Sequence, residues 1–96
     1  MNATPVPKAA RAFQVGRTLV TIGAAAKASR SATSITDLLN RHCMGDDGNV
    51  TDQQHRANLR ARREGLAIKS EYREQAGTFY VITKGDRSAT VVMIGE

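Results

Sequence analysis

Tryptophan is absent, and the only aromatic rings are those of Phe13, Tyr72, Phe79 and Tyr80. With so few large rings the core must be thin, single-sided and built mainly from Ala, Leu, Ile and Val. Cys43 is the sole cysteine, which excludes an intramolecular disulfide and points to a reducing, cytoplasmic setting. Both prolines, Pro5 and Pro7, fall in the first few residues. No apolar run reaches the length of a membrane helix. Residues 19–26 after Arg17 imitate a signal peptide only weakly, because Thr21 and Gly23 interrupt them. The 96 residues suffice for one domain. A cleft between two domains is therefore excluded.

Metal and cofactor motifs are equally scarce. Asp46, Asp47 and Asn49 resemble the opening of a calcium loop, but the Gly and the bidentate Glu that such a loop needs at fixed offsets are missing. His42 and Cys43 have no second cysteine, and His55 belongs to another helix, so zinc is not supported. No metal and no cofactor is expected.

What is present is positive charge, unevenly spread. The net charge is +5; residues 1–63 hold ten Lys/Arg against four Asp, and residues 64–96 hold four against five acids. The basic surface belongs to the N-terminal part and the sheet is neutral. Such a field suits nucleic acid or an acidic protein partner, or serves solubility alone.

The pattern predicts an α+β fold in which a three-to-four-stranded antiparallel sheet, ending in a C-terminal meander, packs against two helices. Residues 1–12 read as a flexible basic arm and 13–96 as a single domain. A first strand runs from Phe13 through Ile22, bent at Gly16. Residues 24–30 give barely two helical turns. Ser34 caps a helix over 35–44, with Asp37 in its first turn. Thr51 and Gln54 form a capping box for a helix over 52–64 that Gly65 ends and that grips the sheet through Leu59, Ala57 and Ala61. Strands follow over 66–73, 78–83 and 89–94. The middle one is apolar on both faces and is expected to be buried on both. Gly77 and Gly85 sit where the turns need positive φ.

Three groups of side chains could carry function. His42, near the end of its helix, is either a general base of near-neutral pKa or a residue bridging core and rim. With Tyr72 and Thr83 on adjacent strands, and Asp86 and Arg87 in the turn beyond, it could form a metal-free ribonuclease site in which Arg87 stabilises phosphate charge. The alternative is turn chemistry, with Asp86 accepting local N–H groups and Arg87 pairing with Asp86 or Glu71. Finally, Asp86 and Arg87 are also candidates for binding a partner or nucleic acid, together with Arg56, Arg60 and Arg63, which share one helical face, extended by Lys8 and Arg11. The arginines of that face are either a phosphate- or partner-binding stripe or a solvated face, with Asp52 and Glu64 as neighbours for Arg56 and Arg60.

The residues Arg41-His42, Gly45-Asp46, Ser70, Tyr72, Ile82-Thr83 and Asp86-Arg87-Ser88-Ala89-Thr90 resemble a group of small plasmid- and phage-borne proteins loosely labelled as restriction-system subunits. Its pattern reads R-H-x-x-G-D-W-G in the middle and I-W-I-I-T-E-A-D-R-S-x-T-T before the end. Asp47 and Tyr80 stand where the group has Trp, Lys84-Gly85 replaces Glu-Ala, and the group's Leu-Pro-x-x-Tyr ending is absent. The resemblance implies a mobile-element lifestyle. It leads to the expectation of a non-enzymatic inhibitor of a bacterial defence system, anti-CRISPR or anti-restriction, that covers an acidic protein surface or competes with DNA at a nuclease complex. A RelE- or barnase-like ribonuclease toxin is the alternative, resting on element order alone, and a DNA-binding accessory protein is the third reading. Nucleic acid and a second copy of the chain remain open as partners; a membrane is not expected.

Overall fold

The structure, a computed structural model, describes residues 5–95. After a 3-10 turn at Lys8–Ala10 come β1 (Arg17–Val20), α1 (Ile22–Ser31), α2 (Ile35–Cys43) and α3 (Asp52–Glu64). Three strands follow: β2 (Ile68–Glu74), β3 (Gly77–Thr83) and β4 (Ala89–Gly95). Each helix begins where a hydroxyl can receive an orphan amide: Thr21 accepts from Ala24, Ser34 from Asp37 and Thr51 from Gln54. Left-handed residues, Ala32 and Gly65, end α1 and α3.

The fold class is α+β, with two corrections to the expected detail. The sheet is mixed: in the order β1-β4-β3-β2 the meander pairs are antiparallel, but β1 runs parallel to β4, with Arg17 beside Ala89 and Val20 beside Val92. The whole helical layer separates β1 from its partner, so no hairpin turn dictates its direction, and a parallel neighbour becomes available. The helices are three rather than two. Thr21 caps α1, so Ile22, expected to end the first strand, instead opens the helix with Gly23 after it.

Phe13 and Val15 lie before β1, buried but not in a strand. Gly16 links them to β1 at φ +61; a Cβ there would collide with the backbone of Arg87 and Ser88, so glycine is required. Leu66 and Ala67, expected to open the next strand, are exposed and precede it.

All three helices contribute to the one covered face of the sheet. Ala24 and Ala28 of α1 and Leu38 of α2 form one apolar cluster with Tyr72, Phe79, Val81 and Val92. Cys43 and Ala61 form a second with Phe13, Val15 and Ile68. The other face, carrying Tyr80, Ile82, Val91 and Met93, is only half-covered. Hence Val81 is fully buried while Ile82 is not, and the expectation of cover on both faces of the middle strand is corrected. Strand apolarity reports position inside the sheet; it does not require a layer on each side.

The segment read as an arm lies partly outside the described residues, at 1–4. Beyond them the Val6 amide donates to the Asn40 side chain at 3.0 Å and Ala12 to the Cys43 carbonyl at 2.7 Å. No helix is long and apolar enough to cross a membrane among the described residues.

Candidate functional site

His42 projects from the last turn of α2 into the interior, where its ring meets Phe13 edge-on at 5.0 Å. Its Nδ1 lies 2.6 Å from Ser70 Oγ and its Nε2 2.7 Å from Thr83 Oγ1. Thr83 Oγ1 lies 2.7 Å from Thr90 Oγ1, which donates to the Val15 carbonyl at 2.7 Å. All four side chains are buried. The direction of every bond follows from the last one. The Thr90 proton is committed to Val15, so Thr83 must donate to Thr90, and His42 must donate to Thr83 through Nε2–H. Nδ1 is then the acceptor for the Ser70 hydroxyl. The neutral ring completes the chain with each hydroxyl hydrogen and both ring nitrogens used. Burial, outweighing the attraction of Asp47, pushes the His42 pKa down to about 4, with Arg62 and Arg87 adding to the depression.

Tyr72 is also buried, and its hydroxyl donates to the Asp46 carbonyl at 2.6 Å. Burial raises its pKa well above the ordinary range. Arg41 stacks on its ring at 4.4 Å while bonding Asp46 at 2.8 Å, which holds the Asp46 carboxyl below its usual pKa. The loop at 46–49 thereby becomes a cover for the outer edge of β2. Glu71 donates to the Asp47 carbonyl and accepts from the Asn49 amide, and Arg73 donates to the Asn49 side chain. The Asn58 amide group of α3 does the same for Lys69, accepting from its N–H at 3.0 Å and donating to its C=O at 2.8 Å. Asn58 also donates to Asp47, which pairs with His55 at 2.8 Å.

Arg87 is a clamp. Its guanidinium donates to the carbonyls of Leu66, Lys84 and Gly85 through Nη1 and of Ala61 through Nη2, at 2.7 to 3.1 Å. It thus ties the β3–β4 turn to the C-terminus of α3, where a cation also suits the helix dipole. The left-handed residue of that turn is Arg87 itself, at φ +62; Gly85, expected in that role, is needed instead because a Cβ would strike the Gly65 carbonyl. Asp86 is exposed and accepts from the Ser88 amide at 3.0 Å.

The structure therefore brings His42 and Thr83 into contact, but inside the protein. Tyr72 and Arg87 are each engaged elsewhere, with the backbone carbonyls of Asp46 and of Ala61, Leu66, Lys84 and Gly85. Sequence reasoning missed Ser70, Thr90 and Asn58. Their signal was available in part: polar residues at inward positions of a strand ask for buried partners.

The basic stripe has the opposite character. Arg56, Arg60 and Arg63, with Gln53 and Ala57, line an open surface groove of about 430 Å³ along α3. Arg60 contacts Glu64 at 3.5 Å. The expected Asp52–Arg56 pair does not form, and Arg56 and Arg63 have no hydrogen bond or ion pair among the described residues. The inner face of α3 is Asn58 and Ala61, whereas Leu59, expected as its anchor, is 41% exposed and Ala57 is exposed too.

The chain is thus a two-layer α+β protein with a hydrogen-bonded chain of polar side chains through its core and a surface groove in which Arg56 and Arg63 have no ion pair among the described residues. It matches no protein-family model, no curated protein and no solved structure.

Proposed function

We propose that the protein is a non-enzymatic binding protein of a mobile element, which inhibits a bacterial defence system by engaging an anionic surface through the α3 groove. The observation that carries this reading is the alignment of Arg56, Arg60 and Arg63 along one open groove, two of them without a partner among the described residues. Guanidinium groups so arranged can fork onto carboxylates or phosphates without first breaking an internal contact. The arginine that would serve a ribonuclease, Arg87, lacks that freedom, and the histidine is enclosed and neutral. These facts support binding over catalysis. The resemblance to plasmid- and phage-borne proteins supports the setting: such an inhibitor would occupy an acidic protein surface, or the DNA-binding track of a nuclease complex.

The test is a plasmid-interference assay in cells carrying an active CRISPR or restriction system. Expression of the protein is expected to restore transformation by a targeted plasmid. The combined Arg56→Gln, Arg60→Gln and Arg63→Gln variant is expected to lose that protection. Growth arrest on expression, abolished by His42→Ala, would instead favour the toxin reading.

A further inference from the structure

The two edges of the sheet are treated differently. On β2 the outward N–H and C=O groups of Lys69 and Glu71, and the N–H of Arg73, are occupied by Asn58, Asp47 and Asn49. On β1, Arg17 donates inward to the Ser88 carbonyl and Thr21 to that of Val92. Alternation along the strand therefore turns the N–H and C=O groups of Thr18 and Val20 outward, where nothing among the described residues meets them. Short edge strands are commonly protected by charge. This edge instead offers Leu19, 44% exposed, and Val20, 39% exposed, with Ile22, 90% exposed, just beyond. Beside Thr18 lies a cleft of about 180 Å³ whose lining includes Val15, Leu39, Cys43 and Arg11.

We propose that β1 pairs antiparallel with β1 of a second copy, about a two-fold axis through Leu19, so that one sheet runs through both molecules. In this register Thr18 exchanges both backbone hydrogen bonds with Val20 of the second copy, and the reverse. The register with β4 puts Thr18 and Val20 on the helical face, level with Thr90 and Val92. Val20 of each copy therefore stands over the cleft beside Thr18 of the other. The edge supplies both the knob and the hole, which is why a second copy is the occupant that fits it.

Charge does not oppose this register. Arg17 lies opposite Thr21 of the other copy, and the two Arg17 residues are separated by several residue pairs, beyond the roughly 8 Å reach of charge at physiological salt. The net charge of +5 on each copy adds a long-range repulsion, so association strengthens as salt rises from low to physiological levels. The arginine groove lies on α3, which packs on β2 at the far side of the sheet. Dimerisation leaves both grooves open.

Leu19→Cys tests the geometry directly, because Cys43 is buried. A non-hydrogen-bonded pair on the axis has Cα atoms about 4.5 Å apart, within disulfide reach. Under mild oxidation this variant should form a covalent dimer far faster than Leu59→Cys, a control on the equally exposed α3 position. Sedimentation of the wild-type protein should show a monomer–dimer equilibrium. Val20→Lys, which brings a charge over the partner's cleft, should raise its dissociation constant at least about tenfold. A wild-type protein monomeric up to about 1 mM would overturn the proposal. So would a dimer that Val20→Lys leaves intact, or Leu19→Cys cross-linking no faster than the control.

Discussion

His42 and Thr83 are joined across the interior by a 2.7 Å bond between Nε2 and Oγ1 that fixes the tautomer of the ring. Burial of the neutral ring in the chain from Ser70 to Val15 disfavours protonation by more than the attraction of Asp47 favours it. The folded pKa of about 4 lies below the ordinary 6.5. The unfolded chain therefore takes up a proton first as pH falls. Stability from this group is fully present above pH 6.5 and is lost progressively down to pH 4, a change of about 3 kcal/mol. Asp46 and Asp86, whose pKa values are lowered from 3.8, lose their contributions only below that window. Urea unfolding at a series of pH values should show this decline, and a His42→Gln variant should be less stable at pH 7 but lack it. A wild-type profile that is flat from pH 6.5 to 4.5 would contradict the assignment.

Arg87 donates to carbonyls from three segments, so its loss releases the β3–β4 turn and the end of α3 together. Replacing it with Ala should cost about 2 kcal/mol, of the order of a charge-assisted hydrogen bond. Lysine keeps the charge but not the planar fork, so Arg87→Lys should recover only part of the loss. Thermal denaturation distinguishes the cases; an Arg87→Ala protein that melts with the wild type would show the clamp to be idle.

The asymmetry of cover on β3 gives a third test. Val81 is enclosed under the helices, while Ile82 lies on the half-covered face. Although isoleucine is the larger residue, Val81→Ala should destabilise more, about 2 kcal/mol against about 1 for Ile82→Ala. The reverse order in chemical denaturation would mean that the open face is covered in solution.

These outcomes mark how far the sequence could be read. Ser34, Thr51 and Gly65 were legible because capping is local chemistry, settled by a residue and its neighbours a few positions away. The meander was legible for the same reason: its glycine-bearing turns separate short runs rich in β-branched and aromatic residues. The place of β1 was not, since nothing near Arg17–Val20 encodes a partner some seventy residues later. Apolarity alone points to Leu59 as the anchor of α3, but Leu59 is exposed. Asn58 holds that position by matching both backbone groups of Lys69, a pairing that helical periodicity does not reveal. His42 drew attention as a possible base, yet Ser70 and Thr90, which define its role, are uninformative until the strands are placed side by side.

Asn58 should accordingly be among the least replaceable polar residues. It is buried, and its amide satisfies the N–H and C=O of Lys69 on the outer edge of β2. Asn58→Leu would fill the volume but leave both backbone groups and the Asp47 carboxylate without this partner. An unsatisfied group costs up to about 1–3 kcal/mol when fully buried, and these bonds of Lys69 are partly buried. Asn58→Leu should therefore be less stable than Asn58→Ala, whose smaller side chain leaves space for water to replace the lost partner. Both should aggregate faster than the wild type, because an edge strand has been uncovered. Hydrogen exchange at the Lys69 amide reads the lost bond directly, and unchanged protection there would remove the explanation.

The last prediction concerns the groove on α3. Arg56 and Arg63 make no ion pair among the described residues, and the contact of Arg60 with Glu64 is exposed on both sides. An exposed pair of this kind contributes about 0.3–0.5 kcal/mol. Changing all three arginines to Gln should thus shift the melting temperature by only a few degrees. Affinity for a polyanion should fall sharply, because three guanidinium groups along one groove act on the same stretch of ligand and release counterions together. On immobilised heparin the variant should elute at lower salt than a control in which Lys27, Arg30 and Lys84, charges outside the groove, are changed to Gln. Equal elution would mean that the field of the whole molecule, rather than this groove, attracts anions. A large loss of stability in the groove variant would show that the arginines hold α3 in place, and binding would then have to be sought on the open face around Tyr80 and Met93.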